Sequence, residues 1–98
     1  MIWIKVYSTQ GEVLLAACDD DLLGKTFEED ELQLVVSESF YGGERVSHEF
    51  FIRQLKTATI VNLVGREVVR IASEIGMVNE DCVLKISGVP HAQIAKMI

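Results

Sequence analysis

Cysteine is scarce in this sequence. Cys18 and Cys82 are the only two in 98 residues, and no CxxC spacing places either in a metal motif. Two lone thiols read as buried and reduced, as in a cytoplasm, and their distant spacing leaves a disulfide open. Adding His48 and His91 completes a Cys2His2 count, but no pair stands at zinc-ligand spacing. Proline occurs once, at Pro90, and there is no linker, repeat or low-complexity stretch. The apolar runs are only a few residues long, which excludes a bilayer-spanning helix. The opening Met1, Ile2, Trp3, Ile4, Lys5 alternates instead of forming the continuous apolar run of a signal peptide. Positive charge is short as well. Nine Lys and Arg against 15 Asp and Glu give a net charge of −6, opposite in sign to what nucleic acid attracts. Neither GxGxxG nor GxxxxGKS/T spacing is present, and there is no GxSxG elbow, so nucleotide loops and hydrolase triads find no motif. The run Asp19, Asp20, Asp21 lacks the alternating acids, central glycine and terminal glutamate of a calcium loop. No metal and no cofactor is expected.

What is present suits one domain, residues 1–98, with 49% hydrophobic residues to fill its core. Residues 1–8 alternate Ile2, Ile4 and Val6 with Trp3, Lys5 and Tyr7, a half-buried strand. Residues 12–18 are apolar on both faces, as in a central strand covered on both sides, and pair with the first in a hairpin. Asp19 or Asp20 suits the cap of one helical turn closed by Gly24. Phe27 is the apolar anchor of a connector, and residues 32–36 alternate as a third strand. Ser47 is positioned to cap a helix over 47–56 with Phe51 and Leu55 on one side, and Thr57 and Thr59 mark a bend or break. Ile60, Leu63, Val64, Val68, Ile71, Ala72 and Ile75 recur at spacings of three and four. That spacing predicts a helix over 57–75, ended by Gly76 in the left-handed conformation. Strands over 82–86 and 91–98 complete the set. The expected fold is α+β: a mainly antiparallel sheet of about five strands with helices 47–56 and 57–75 on one face.

Four places carry residues that a core does not demand. Residues 19–31 hold seven acids (Asp19, Asp20, Asp21, Glu28, Glu29, Asp30 and Glu31) and one base, Lys25. The remaining eight acids and eight bases cancel, so this segment carries the whole imbalance. It reads as a docking surface for a basic partner or as a solvated turn. Phe40, Tyr41, Gly42 and Gly43 form a tight turn whose backbone a partner can approach closely. Asn62 is an amide in an apolar stretch, with Arg66 one helical turn on and Gly65 between them. Pro90 stiffens a turn that sets His91 at the mouth of a strand. If these segments meet at one end of the sheet, Tyr41, Asn62, Arg66 and His91 form a polar cluster.

The strings LLGKTF, FYGG, NLVG and VPHAQ, set between an N-terminal hairpin and the chain end, are specific. On them, the chain resembles over essentially its whole length the small archaeal proteins of the domain-of-unknown-function 424 family. The resemblance implies a cytoplasmic archaeal protein and supplies neither substrate nor mechanism; a link to translation or RNA processing is an expectation set beside it. Three functions compete. The first is a non-catalytic protein-interaction module using the acidic segment and the Phe40 to Gly43 loop. The second is a small-molecule site or enzyme built from Tyr41, Asn62, Arg66 and His91. The third is RNA binding by a local basic face of Lys5, Arg45, Arg53, Lys56, Arg66 and Arg70. A homodimer through an open sheet edge is compatible with each.

Overall fold

The structure is a computed structural model and describes residues 1–96. The N-terminal alternation builds β1 (Ile2–Thr9), paired antiparallel with β2 (Glu12–Asp19) along its whole length, Ile2 opposite Asp19 and Thr9 opposite Glu12. β3 (Thr26–Glu29) and β4 (Leu32–Val35) form a separate antiparallel hairpin. Then follow α1 (Glu38–Tyr41), β5 (Glu44–Val46), α2 (His48–Thr57), β6 (Ile60–Val64) and α3 (Arg66–Glu74). A 3-10 turn over Glu80–Cys82 leads to β7 (Leu84–Ile86) and β8 (Val89–Ala95). The main sheet has the order β5-β1-β2-β6-β8-β7, and every pairing in it is antiparallel except that of β2 with β6. The chain is thus one α+β domain. Among the described residues no helix is long and apolar enough to cross a membrane.

β2 is central and covered on both sides, as its two apolar faces require. Leu15 and Ala17 join Ile4, Val61, Leu63 and Ala92 in a core closed by Phe51 and Leu55 of α2 and by Val68, Ile71 and Ala72 of α3. Ala16 and Cys18 face the other way with Val64 and Ile86, under Leu34, Val36 and Tyr41, with Phe27 and Leu22 against them. The β3–β4 hairpin and α1 therefore form a second, smaller layer on the face opposite the two long helices.

The expected helix over 57–75 is corrected. Residues 60–64 are β6, paired between β2 and β8, and only Arg66–Glu74 is helical. A stretch of five residues with apolar positions on both sides of Asn62 shows no strand alternation, so a covered strand and a buried helical segment look alike. Two features break the helix. Thr59 is drawn into the sheet, its N–H donating to Val13 O at 2.8 Å and its carbonyl accepting from Lys96 N at 2.8 Å. Gly65 sits at φ 124° and ψ 156°, outside any helix. The end of α3 is as expected: Gly76 has φ 81°, and Met77 N folds back to Ala72 O at 2.9 Å.

Other boundaries move as well. Residues 26–29 and 44–46 are strands too short to show an alternation of their own. α1 adds a third helix where a tight turn was expected. The strand expected over 82–86 begins at Leu84, after the 3-10 turn. The final strand, expected over 91–98, starts at Val89; residues 97 and 98 lie outside the described residues. Ser47 caps α2 as expected, accepting from Phe50 N at 3.2 Å. Asp19 caps a different helix from the one anticipated. Its carboxylate accepts from Glu67 N at 3.0 Å and Val68 N at 2.9 Å, at the start of α3.

Candidate functional site

Tyr41 ends α1, a helical turn started by Ser37, whose Oγ accepts from Phe40 N at 3.2 Å. That turn lowers Tyr41 onto the sheet. Its ring is buried, and its hydroxyl donates to Asn62 Oδ1 at 2.5 Å. Asn62 stands on β6 between Ala16 of β2 and Gln93 of β8, facing the smaller layer. Tyr41 thus satisfies the amide oxygen, and Asn62 lines a shallow groove of about 330 Å³ with Leu14, Ile60 and Ile94. Phe40 packs edge-on against Tyr41 and stacks on Tyr7, whose hydroxyl donates to Phe40 O at 2.9 Å.

The four polar residues do not form one cluster. Only Tyr41 and Asn62 touch. His91 faces the same side of the sheet, opposite Val64, but its Nδ1–H donates to Leu63 O at 2.9 Å. Arg66 lies past the end of β6. It lines a separate crevice of about 240 Å³ with Asp19, Asp21, Leu22 and the turn from Ser87 to Pro90. Gly42 and Gly43 carry the chain from α1 to β5. A Cβ on Gly43 would stand 2.6 Å from Ile4 O, so that position admits only glycine without a shift of β1.

The acidic segment is divided. Asp19 is tied to α3, and Asp20 holds Arg45 through two hydrogen bonds of 2.8 and 2.5 Å. Arg45 in turn keeps the Asp20 carboxyl below its ordinary value. Glu28 accepts from Gln33 Nε2 at 2.9 Å, and Glu29 from Ser87 N at 2.9 Å. The hairpin is pinned to the β7–β8 turn again by the Ser87 hydroxyl, which donates to Glu28 O. Asp21, Asp30 and Glu31 are exposed and form no ion pair among the described residues.

Cys18 and Tyr41 are both buried. Burial pushes the Cys18 thiol up to about 12, helped by the neighbouring Asp19, Asp20 and Asp21. Burial also raises the Tyr41 hydroxyl above its ordinary value, with Cys18 adding to the effect. Cys82 was expected to be buried; it is exposed on the 3-10 turn, and both cysteines are free. Among the described residues no three His, Cys, Asp or Glu side chains gather as metal ligands would.

Sequence reasoning missed one surface. β1 pairs with β2 over eight residues but with β5 only from Ile2 to Ile4. Past Ile4 its outer edge has no strand beside it among the described residues. A groove of about 370 Å³ runs there, between Ile4, Lys5 and Val6 of β1, Gly43 and Glu44, and Phe50 and Gln54 of α2. Val6 is 43% exposed on its floor. The available signal was the brevity of residues 44–46 between Gly43 and the Ser47 cap, which could cover only part of an eight-residue strand.

The fold is a small α+β domain whose main sheet is covered on both faces, with grooves at a sheet edge, on a sheet face and at strand ends. The chain belongs to the family described as protein of unknown function (DUF424), whose model matches residues 7–97. Among solved structures it is similar to the crystal structure of an uncharacterized conserved protein from Methanopyrus kandleri. The two are 25% identical with a TM-score of 0.75, over 95% of this chain and 89% of that one. No curated protein matches the chain.

Proposed function

We infer that this chain is a non-catalytic protein-interaction module that accepts an extended segment of a basic partner protein as an added strand on β1. The observation that carries this reading is the outer edge of β1 beyond Ile4, unpaired among the described residues and lying against the groove lined by Val6 and Phe50. A strand edge presents alternating N–H and C=O groups at a fixed spacing, which an extended peptide matches through its own backbone. β5 already occupies the first half of this edge in antiparallel register, and the vacant half continues the same ladder. The edge from Lys5 to Thr9 carries no proline and no acid that would repel a strand.

Charge supports a basic partner, as proteins of translation and RNA processing are. The net charge is −6, Glu44 lines the groove, and Asp21, Asp30 and Glu31 remain exposed. The basic residues give RNA less to bind. Arg45 is held by Asp20, Arg70 by Glu67 and Glu74, and Lys5 donates to Ser39 O at 2.8 Å. An exposed, unpaired Cys82 suits a reducing cytoplasm.

The test is capture from archaeal lysate after nuclease treatment, with wild type beside Val6→Lys, followed by hydrogen exchange of the captured complex. Val6 is half-exposed, so the variant keeps its fold, which circular dichroism checks. The reading requires a partner whose binding drops about tenfold or more in Val6→Lys and which protects the amides from Val6 to Thr9. Equal binding by the variant, or protection elsewhere only, would refute it. A second copy seated on the same edge would show as a dimer in sedimentation, and that outcome also removes the hetero-partner reading.

A further inference from the structure

β2 and β6 are the two parallel neighbours of the sheet, and their C-terminal ends lie side by side, Cys18 opposite Val64. From these ends the chain departs to opposite faces. β2 leads through Asp20, Asp21 and Leu22 into the smaller layer. β6 leads through Gly65 into α3, which packs on the larger core. Where adjacent parallel strands send their connections to opposite faces, a crevice opens beyond the strand ends, and such crevices are where open sheets hold their ligands. Here it is the crevice of about 240 Å³ lined by Arg66 and Asp21.

Its chemistry is bipolar. Arg66 stands in the first turn of α3, where the helix dipole favours an anion over a cation, so helix stability does not account for its charge. It forms no ion pair among the described residues. Asp21 is exposed in the same crevice and is also unpaired, so opposite charges share one small space without closing on each other. Leu22, Val89 and Pro90 supply apolar walls. A phosphate at the start of α3 is disfavoured, because the Glu67 and Val68 N–H groups are already taken by the Asp19 carboxylate.

We propose that this crevice binds a small zwitterion of the α-amino-acid type, its carboxylate on Arg66, its ammonium on the Asp21 side and its side chain against Leu22, Val89 and Pro90. The site shares no residue with the β1 groove, so it stands or falls independently of strand addition.

The test is a two-dimensional amide NMR titration of the full chain with three probes of one shape: L-leucine, L-leucinamide and 4-methylpentanoate. Leucine should give saturable shifts at Leu22, Arg66 and Gly88 and bind about tenfold or more tightly than either singly charged analogue. Arg66→Gln should reduce leucine to the level of leucinamide, and Asp21→Asn to that of 4-methylpentanoate. Val6→Lys should leave all three unchanged. Equal binding of the three probes, tighter binding of either analogue, or no shifts at those amides at millimolar leucine would overturn the proposal. The probe series uses wild-type protein, so its outcome does not depend on any variant folding.

Discussion

A carboxylate at the end of one strand fixes the start of a helix 48 residues later. Asp19 takes two of the amide groups that α3 leaves unsatisfied at its N-terminus, a role normally filled by the residue just before the helix. Gly65 occupies that position and brings no side chain. Replacing Asp19 with alanine should therefore cost about 1–2 kcal/mol in urea denaturation. Its titration carries a second expectation. Burial raises the Asp19 carboxyl above 3.8, and the two N–H groups pull it part of the way back. The folded chain then holds this proton to higher pH than the unfolded chain does. The stability it contributes is full below the unfolded value and is lost as pH rises through the folded one. The stability advantage of wild type over Asp19→Asn should thus narrow as pH rises from 3.8. An advantage that widened instead would mean that the helix N–H groups outweigh burial. Tyr41 and Asn62 give a simpler case. Tyr41→Phe leaves the amide oxygen with water as its only partner, at about 1 kcal/mol, and in an Asn62→Leu background the same change should be nearly neutral. Asn62 stands out in the sequence as an amide among aliphatics. Its partner, 21 residues earlier, was legible as one of the three residues expected to gather around it, and it is the one that does.

At the scale of elements, the sequence was most readable where one element met one environment. The β1–β2 hairpin, the two-faced β2 and the Ser47-capped α2 all follow from alternation or a cap. β6 was hidden because its buried positions, Val61, Leu63 and Val64, are shared between both faces of the sheet and it runs into α3 through one residue. Its apolar positions happen to continue the spacing of the helix. Gly65 was the signal that separated them. In sequence, a glycine between IVNLV and REVV suggests room for close packing. It is a strand-to-helix corner at positive φ with the Asp19 carboxylate in the space a Cβ would fill. Gly65→Ala should therefore destabilise by about 3 kcal/mol, the sum of backbone strain and a weakened cap. The urea midpoint should fall with the slope unchanged. Gly76→Ala, also at positive φ but with open space around it, should lose less, since only the backbone term remains. Equal losses at the two sites would remove the Asp19 contact from the account.

At the scale of the molecule, the net charge of −6 comes from one segment of sequence, but that segment is not one surface. A run of acids carries no sign of which distant groups each will meet. Folding sends Asp19 to a helix, Asp20 to Arg45 and Glu29 to the β7–β8 turn, and leaves Asp30 and Glu31 at the exposed tip of the hairpin. Two neutralised variants with the same change in net charge should then behave differently. Asp20→Asn/Glu29→Gln breaks the Asp20–Arg45 ion pair and takes the charge from the Glu29 oxygen that accepts from Ser87 N, contacts that join distant parts of the chain, and should lower the thermal midpoint. Asp30→Asn/Glu31→Gln touches no such contact and should leave the midpoint near that of wild type. The tip pair acts at a distance instead. Exposed charge steers a basic partner before contact, an effect screened within about 8–10 Å at physiological salt. Neutralising the tip should slow association with the captured partner and flatten its salt dependence, with little change in dissociation. Stopped-flow association measured across ionic strengths separates the two variants. If both pairs lowered stability alike, the division of the segment into structural and free acids would be wrong. If neither altered the association rate, the partner's attachment would rest on the β1 edge and its apolar groove alone.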